Sequence, residues 1–400
     1  MRILTADYIY PVSSRPIKNG IIVCDDYGKI LQLINPSAER FTTDTLERFN
    51  GILVPGFVNA HCHLELSYLI NKITPKTGLS GFVRQIQQNR IKEYCDEIEQ
   101  AIIAAQREAT ITGTIAMGDI CNSTHTIATK ISGHLKYYNF VEIFGIDETR
   151  CDKFFENALT VYNQFREQLK TQVSIVPHAP YSLSGKLFDK IKSFNKTKEN
   201  IISIHNQESE AENKLFQDKS GEMYNTFINA GLNYSNFETT GKNSLESILN
   251  YLPRIKNTLF VHNTFSTQND IDAAKKYYRK NIENVFWVFC VNSNLFIENR
   301  LPNLNLFRQN KLNIALGTDS LASTASLNML DEIKTIAQNF PDISFETILQ
   351  WATINGARAL KFDADLGSLE TNKTPGINLI ENFDLNKMTI TQKSRITKLI

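Results

Sequence analysis

The stretch Leu53-Val54-Pro55-Gly56-Phe57-Val58-Asn59-Ala60-His61-Cys62-His63-Leu64-Glu65 decides how this chain is read. An apolar run climbs to a His-x-His pair, the pattern of a buried strand that ends in two imidazoles. Side chains alternate along a strand, so His61 and His63 face one side and Cys62 the other. Two imidazoles on one side can grip one metal ion if further ligands come from elsewhere. Taken alone, the pair is equally two hydrogen-bonded polar residues at a strand end. The rest of the chain has to supply the context.

Working outward, residues 114–120, 138–144, 173–177, 200–205, 258–262, 285–290 and 313–318 are strand-like. Helical stretches such as 152–169, 222–230, 268–280 and 325–339 lie between them. With the strand before His61, eight strands alternate with helices, which predicts an α/β (β/α)₈ TIM-like barrel over 51–364. Between the first two strands, 64–81 reads as a long loop with Pro75, Gly78 and Gly81, of a length common in lids. One long helix is expected over 82–110, stopped near Gly113. Residues 1–50 hold short strands at 2–10, 20–24 and 29–34 around the turn at 25–28. After a helical stretch at 345–360, strand character returns at 366–370 and 377–380. Residues 1–50 and 365–400 are therefore expected to form one small β-sandwich domain from both termini.

Composition excludes several classes. Hydrophobic residues make up 42% and charged residues 21%, the balance of a globular chain with a real core. A net charge of +1 favours neither nucleic acid nor an anionic membrane as partner. Six cysteines without C-x-x-C spacing argue against a disulfide framework or zinc ribbon and suit a reducing cytosol. No signal-peptide core opens the chain, and no apolar run approaches the roughly 18 residues of a membrane helix. The expectation is a soluble, cytoplasmic chain.

The other candidate ligands fall where a barrel places chemistry, at the C-terminal ends of strands. His205 ends the fifth, His262 the sixth and Asp319 the eighth. Each has an ordinary alternative as a rim or core residue, but together with His61 and His63 they form a set suited to zinc, iron(II) or manganese. Glu208, three residues past His205, is close enough to move a proton between water and substrate, or else is a solvated helix-start glutamate. The fourth strand, 173–177, carries no lysine to bridge two ions, so one metal ion is expected. His178 is then free for substrate or for a structural role between prolines. Glu65, just past the histidine pair, can also reach a substrate. His125 and His134 fit no ligand position, and Arg150 and Arg300 are candidate anion contacts.

At this point the chain resembles the amidohydrolase superfamily, specifically the metal-dependent deaminases of amino-substituted heterocycles. The residues that carry the resemblance are Pro55-Gly56-Phe57-Val58-Asn59-Ala60-His61-Cys62-His63, His178-Ala179-Pro180-Tyr181, His205-x-x-Glu208, Val261-His262-Asn263, Ser293-Asn294, Leu316-Gly317-Thr318-Asp319-Ser320 and Trp351-Ala352-Thr353-x-Asn355-Gly356-Ala357. They run in the family's order over nearly the whole chain. The resemblance implies a barrel with a terminal β-sandwich, and His61, His63, His205 and Asp319 as ligands of one divalent ion. It implies that His262 orients the hydrolytic water, that Glu208 shuttles the proton, and that His178, Glu65 and Asn294 meet the substrate. It also points to a homodimer. Asn206-Gln207 is more polar than the small or apolar residues common between the histidine and the glutamate.

The implied reaction is hydrolytic. The ion lowers the pKa of its water toward neutrality, Asp319 takes the proton, Glu208 protonates a ring nitrogen, and ammonia leaves. Aminated purines and their nucleosides, pterins and 6-aminodeoxyfutalosine are the substrates in view. Two alternatives remain open at this point. One is hydrolysis of a cyclic amide or a ring chlorine at the same site, and the other is a non-catalytic scaffold.

Overall fold

The computed structural model describes residues 1–38, 45–91, 93–196, 200–232, 234, 237–254 and 256–400. The N-terminal strands are β1 (Arg2–Ile9), β2 (Ile17–Lys18), β3 (Ile21–Cys24), β4 (Ile30–Ile34) and β5 (Leu46–Pro55). Next come β6 (Phe57–Cys62), β7 (Thr114–Cys121), β8 (Lys136–Ile143) and β9 (Gln172–Pro177), which pair in that order, all parallel. A second parallel sheet follows in chain order as β10 (Ile202–Asn206), β11 (Thr258–His262), β12 (Val285–Phe289) and β13 (Asn313–Leu316). β6, β10, β11 and β12 are buried along their whole length, as strands covered on both faces must be. That burial explains why β12, Val-Phe-Trp-Val-Phe, reads as a continuous apolar run rather than as an alternating one.

Backbone hydrogen bonds also cross between the two parallel sheets. His205 N donates to His178 O at 2.9 Å, and Thr318 N and Asp319 N both donate to His61 O at 3.1 Å. Cys62 and Asp319 form a parallel bridge. Gly317 makes that seam possible, since a Cβ there would stand 2.8 Å from His61 O and 2.9 Å from His61 Cβ. The core inside these strands includes Val58, Ala60, Phe140, Val176, Val261, Val288 and Ala315.

β14 (Ile377–Glu381) and β15 (Arg395–Lys398) join the first strands in one seven-stranded sheet of order β15-β14-β5-β1-β3-β4, with β2 paired to β1. β5 crosses the boundary expected at residue 50, because Ile52 to Pro55 pair with β14. The chain turns into β6 at Gly56, where a Cβ would stand 2.4 Å from Ile115 and 2.7 Å from Pro375 O. Only a glycine lets the two segments approach this closely.

Four element readings need correction. The single helix expected over 82–110 is two, α1 (Gly78–Asn89) and α2 (Asp96–Ile111). Arg90 turns extended (ψ 121°), and Asp96, Glu97 and Glu99 make a fresh N-terminal turn that complements the helix dipole. The loop expected over 64–81 opens as a 3₁₀ turn, Leu64–Leu69, and its end is already α1. Residues 366–370 form no strand: Leu369 N donates to Pro11 O, but Leu366 N turns back to Phe362 O and no ladder continues. The helix expected at 345–360 is likewise divided, at Thr353, into Phe345–Ala352 and Ile354–Ala359. No helix among the described residues is long and apolar enough to cross a membrane.

Candidate metal centre and active site

Four donor atoms from three strand ends converge. His61 Nε2 lies 3.1 Å from His63 Nε2, which lies 3.3 Å from His205 Nε2. Asp319 Oδ1 is 3.4 Å from His63 Nε2 and 3.8 Å from His61 Nε2. Ligands bound to one zinc ion at about 2.0–2.1 Å in a tetrahedron stand roughly 3.3–3.4 Å apart. The observed separations therefore match donors that share one ion. His262 lies within the same cluster.

The electrostatics suit a cation. Burial pushes His63 and His262 down to about 3 and His178 to about 4, and lowers His61 and His205 as well. The imidazoles are neutral, with lone pairs to give. His205 Nδ1 is 2.8 Å from the His178 carbonyl. A carbonyl can only accept, so Nδ1 carries the hydrogen and Nε2 keeps its lone pair toward the other donors. Burial alone would raise Asp319, but His63, His262, the Ser293 hydroxyl and His205 hold its carboxyl below the usual value.

The backbone is strained where these groups sit. Gln207 (φ 47°), His262 (φ 75°), Asn263 (φ 55°) and Asp319 (φ 61°) are left-handed at the ends of β10, β11 and β13. Such conformations cost about 1–3 kcal/mol each and persist only where the surroundings impose them.

Glu208 is buried, and its Oε1 lies 3.7 Å from His262 Nε2. Burial and then the charge of Asp319 push its carboxyl well above the ordinary carboxylate range. It stands buried beside the donor cluster with its proton held more tightly than usual, not as a solvated glutamate. Glu212 fixes it in place by accepting the N–H groups of Gln207 (3.0 Å) and Glu208 (3.2 Å).

A cavity of about 360 Å³ opens over this cluster and is lined by His63, Glu65, His178, His205, Glu208, His262 and Asp319, among others. His178 Nδ1 is held by Ser182 Oγ at 2.9 Å. Glu65 lines the cavity, yet its carboxylate also accepts from Asn122 N, Ser123 N and Ser123 Oγ, tying the β6 and β7 ends together.

Asn294, expected at the substrate, does not line the cavity. Its amide donates to His262 Nδ1 (3.2 Å) and Thr264 Oγ1 (2.8 Å), so it stands behind His262. Arg150 and Arg300 are not in the cavity either; they lie over the rings of Phe154 and Phe265. His125 stacks beside Tyr94, outside the cavity.

Glu142 and Arg90 are among the cavity residues that the sequence reading did not single out. Glu142, next to last in β8, accepts from Asn122 Nδ2 at 3.1 Å and lies 3.6 Å from His205 Nδ1. The strand-end rule that selected His205 would have found it. Arg90, at the end of α1, carries no such signal.

Comparison with known proteins places this geometry. An aminodeoxyfutalosine deaminase from Nitratiruptor sp. is 28% identical over 347 residues, covering 83% of this chain and 79% of that protein. The crystal structure of Helicobacter pylori aminofutalosine deaminase in complex with methylthio-coformycin superposes with a TM-score of 0.80 at 23% identity, covering 98% of this chain and 94% of that one. An adenosine deaminase from Xanthomonas campestris with bound zinc gives 0.74 at 20% identity, covering 96% and 85%. These folds imply a TIM-like barrel. The Amidohydrolase family model matches residues 52–399, and the chain belongs to that family.

Proposed function

We propose that this protein is a metal-dependent aminohydrolase that removes the ring amino group of an adenosine-like nucleoside and releases ammonia. The observation that carries the reading is the convergence of His61, His63, His205 and Asp319 beside a buried, neutral Glu208. The family match supports the hydrolase, and relatives named as deaminases of aminodeoxyfutalosine and adenosine support the substrate class.

His61, His63, His205 and Asp319 would hold one divalent ion. Zinc is assigned from the three-nitrogen, one-oxygen donor set and from the zinc in a structural neighbour. When bound, the ion supplies Lewis-acid activation of the water nucleophile. The chain's own groups move the protons. Glu208, neutral in its buried setting, donates to a ring nitrogen and makes the amino-bearing carbon electrophilic. Asp319 accepts the proton of the attacking water and passes it to the departing amine. His262, braced by Asn294, orients that water. His178 and Glu65 face the substrate, and Glu142 adds a third contact at the same floor. As the carbonyl forms, the hydroxyl proton of the tetrahedral carbon returns to Glu208, so water enters, ammonia leaves and both carboxyl groups end as they began.

The eight parallel strands are read as one closed (β/α)₈ barrel. Residues 1–55 and 365–400 are read as a small terminal β domain, a shift of five residues from the boundary read in the sequence.

Ammonia release from adenosine, methylthioadenosine, S-adenosylhomocysteine, 6-aminodeoxyfutalosine, guanine, pterin and cytosine tests the proposal, with Glu208→Gln as blank. Ammonia from an adenosine-type member, lost in the variant, supports it. Silence across all members from zinc-loaded protein overturns it.

A further inference from the structure

Among the described residues no side chain donates a hydrogen bond to the Glu208 carboxyl, and His262 Nε2 lies 3.7 Å away, beyond hydrogen-bond reach. The carboxyl is therefore aimed by the backbone beneath it. That backbone turns at Gln207, between the end of β10 and Glu208, in the left-handed conformation (φ 47°). A glutamine holds such a turn only where its surroundings impose it.

The Gln207 side chain is wholly buried, and its partners show what imposes the turn. Asn213 Oδ1, on the helix Glu210–Asp218, accepts the N–H of Ser244 at 3.1 Å, and a backbone N–H can only donate. The oxygen of Asn213 therefore faces Gln207, which presents its Nε2 there at 3.2 Å. That orientation turns Gln207 Oε1 the other way, to accept from Ser266 Oγ at 2.5 Å and from Asn206 Nδ2 at 3.4 Å. One amide thus joins the helix after β10 to the segment after β11. The backbone repeats the stitch, since Asn263 N donates to Asn206 O at 2.9 Å and Phe265 N to Gln207 O at 3.0 Å. β10 delivers Glu208 and β11 delivers His262, so these bonds set the distance between the two. The polar Asn206-Gln207 pair does here what a small or apolar residue could not.

We infer that Gln207 is a positioning residue, whose amide clamps the exit of β10 to the exit of β11 and so holds the Glu208 carboxyl against His262 in the geometry of proton transfer. This rests on the deaminase reading above. Gln207 does not line the cavity, so it acts through Glu208 and not on the substrate. A small displacement of the acid weakens the transition state while leaving ground-state binding intact.

The test is a double-mutant cycle. Gln207→Met keeps the length of the side chain and removes its amide, and the milder Ser266→Ala removes only the contact to the β11 exit. In Gln207→Met kcat should fall about 10- to 100-fold and in Ser266→Ala about 3- to 10-fold, with KM within about threefold and zinc content at the wild-type level. The double variant should turn over within about twofold of Gln207→Met alone, because both changes cut one contact. Wild-type kcat in both single variants, losses that multiply, losses carried by KM, or a kcat loss that tracks lost zinc overturns the inference; the last would mean support of His205 and not of Glu208. Should Gln207→Met not fold, Ser266→Ala alone decides by the same three readouts. Hydrogen exchange separates the clamp from the deaminase reading. In Ser266→Ala, the amides of 206–209 should exchange about 10-fold faster together with those of 263–267. Such coupled exchange in a protein that releases no ammonia defeats the deaminase reading and leaves the clamp standing. Deamination with faster exchange confined to 263–267 does the reverse, and neither ammonia nor coupled exchange defeats both.

Discussion

Nδ2 of Asn294 lies 3.2 Å from Nδ1 of His262 and donates to Thr264 Oγ1 at 2.8 Å. A group that grips the far nitrogen of an imidazole sets the orientation of the ring without touching a substrate. His262 holds a left-handed backbone at φ 75°, so the ring needs that support. Asn294→Leu is expected to lower kcat about 10- to 100-fold, as loss of such a supporting contact typically does. Metal content, measured by plasma mass spectrometry, should stay at the wild-type level. A variant with wild-type kcat would remove Asn294 from the positioning of His262.

Glu208 and the donor histidines should separate cleanly by mutation. Glu208→Gln keeps the shape but cannot give up a proton, and turnover should fall by about 10²–10⁴-fold or more. Its metal content should be unchanged, because Glu208 is not among the converging donors. In His63→Ala, metal and turnover should be lost together. Chelation of the wild-type protein should abolish ammonia release, and one equivalent of zinc should restore it. Near-normal turnover of Glu208→Gln would sink the proton assignment.

Behind the donor cluster, Lys130 Nζ lies 2.5 Å from Asp119 Oδ2 with both side chains essentially excluded from water. Asp119 Oδ1 accepts the N–H of Leu64 at 2.8 Å, directly after His63. The lysine also donates to Asn139 Oδ1 at 2.7 Å and lies over the Tyr137 and Phe165 rings. Lys130→Met leaves a buried carboxylate unpaired and should cost about 3–5 kcal/mol in urea unfolding. A loss below roughly 1 kcal/mol would place the pair among the weak ones.

Glu332 makes stability depend on pH. Burial pushes its carboxyl up to about 8, and it reaches Asn292 N at 3.2 Å with one oxygen while the other has no partner. The folded chain keeps this proton where the unfolded chain, with a pKa near about 4.3, has lost it. Stability is therefore full below the unfolded value, declines as pH rises, and its contribution is gone above about 8. Glu332→Gln, which cannot ionise, should gain stability relative to wild type between pH 5 and about 8, read as urea midpoints. Parallel midpoint profiles for the two proteins would refute the raised carboxyl.

Much of this protein was legible in its residues alone. The eight strand runs are apolar because both their faces are buried, so hydrophobic patterning located them to within a few residues. Histidines and an aspartate at the ends of those runs stood out because a polar group after a buried strand has to be accounted for. The His-x-His alternation by itself puts two imidazoles on one side.

Tertiary structure decided the rest, because it depends on contacts between segments far apart in sequence. The break at Arg90 that divides α1 from α2 carries no proline or glycine, and it became visible only with α1 packed over the cavity. Asn294 was placed behind His262 by the meeting of the helix Val291–Glu298 with the end of β11. The carboxyl of Glu208 is pushed above the ordinary range only through burial beside Asp319 and Glu212, since the run 207–212 is by itself as compatible with a solvated helix start. Strand patterns report which residues are buried; the charge state and partners of a buried group depend on what is buried with it.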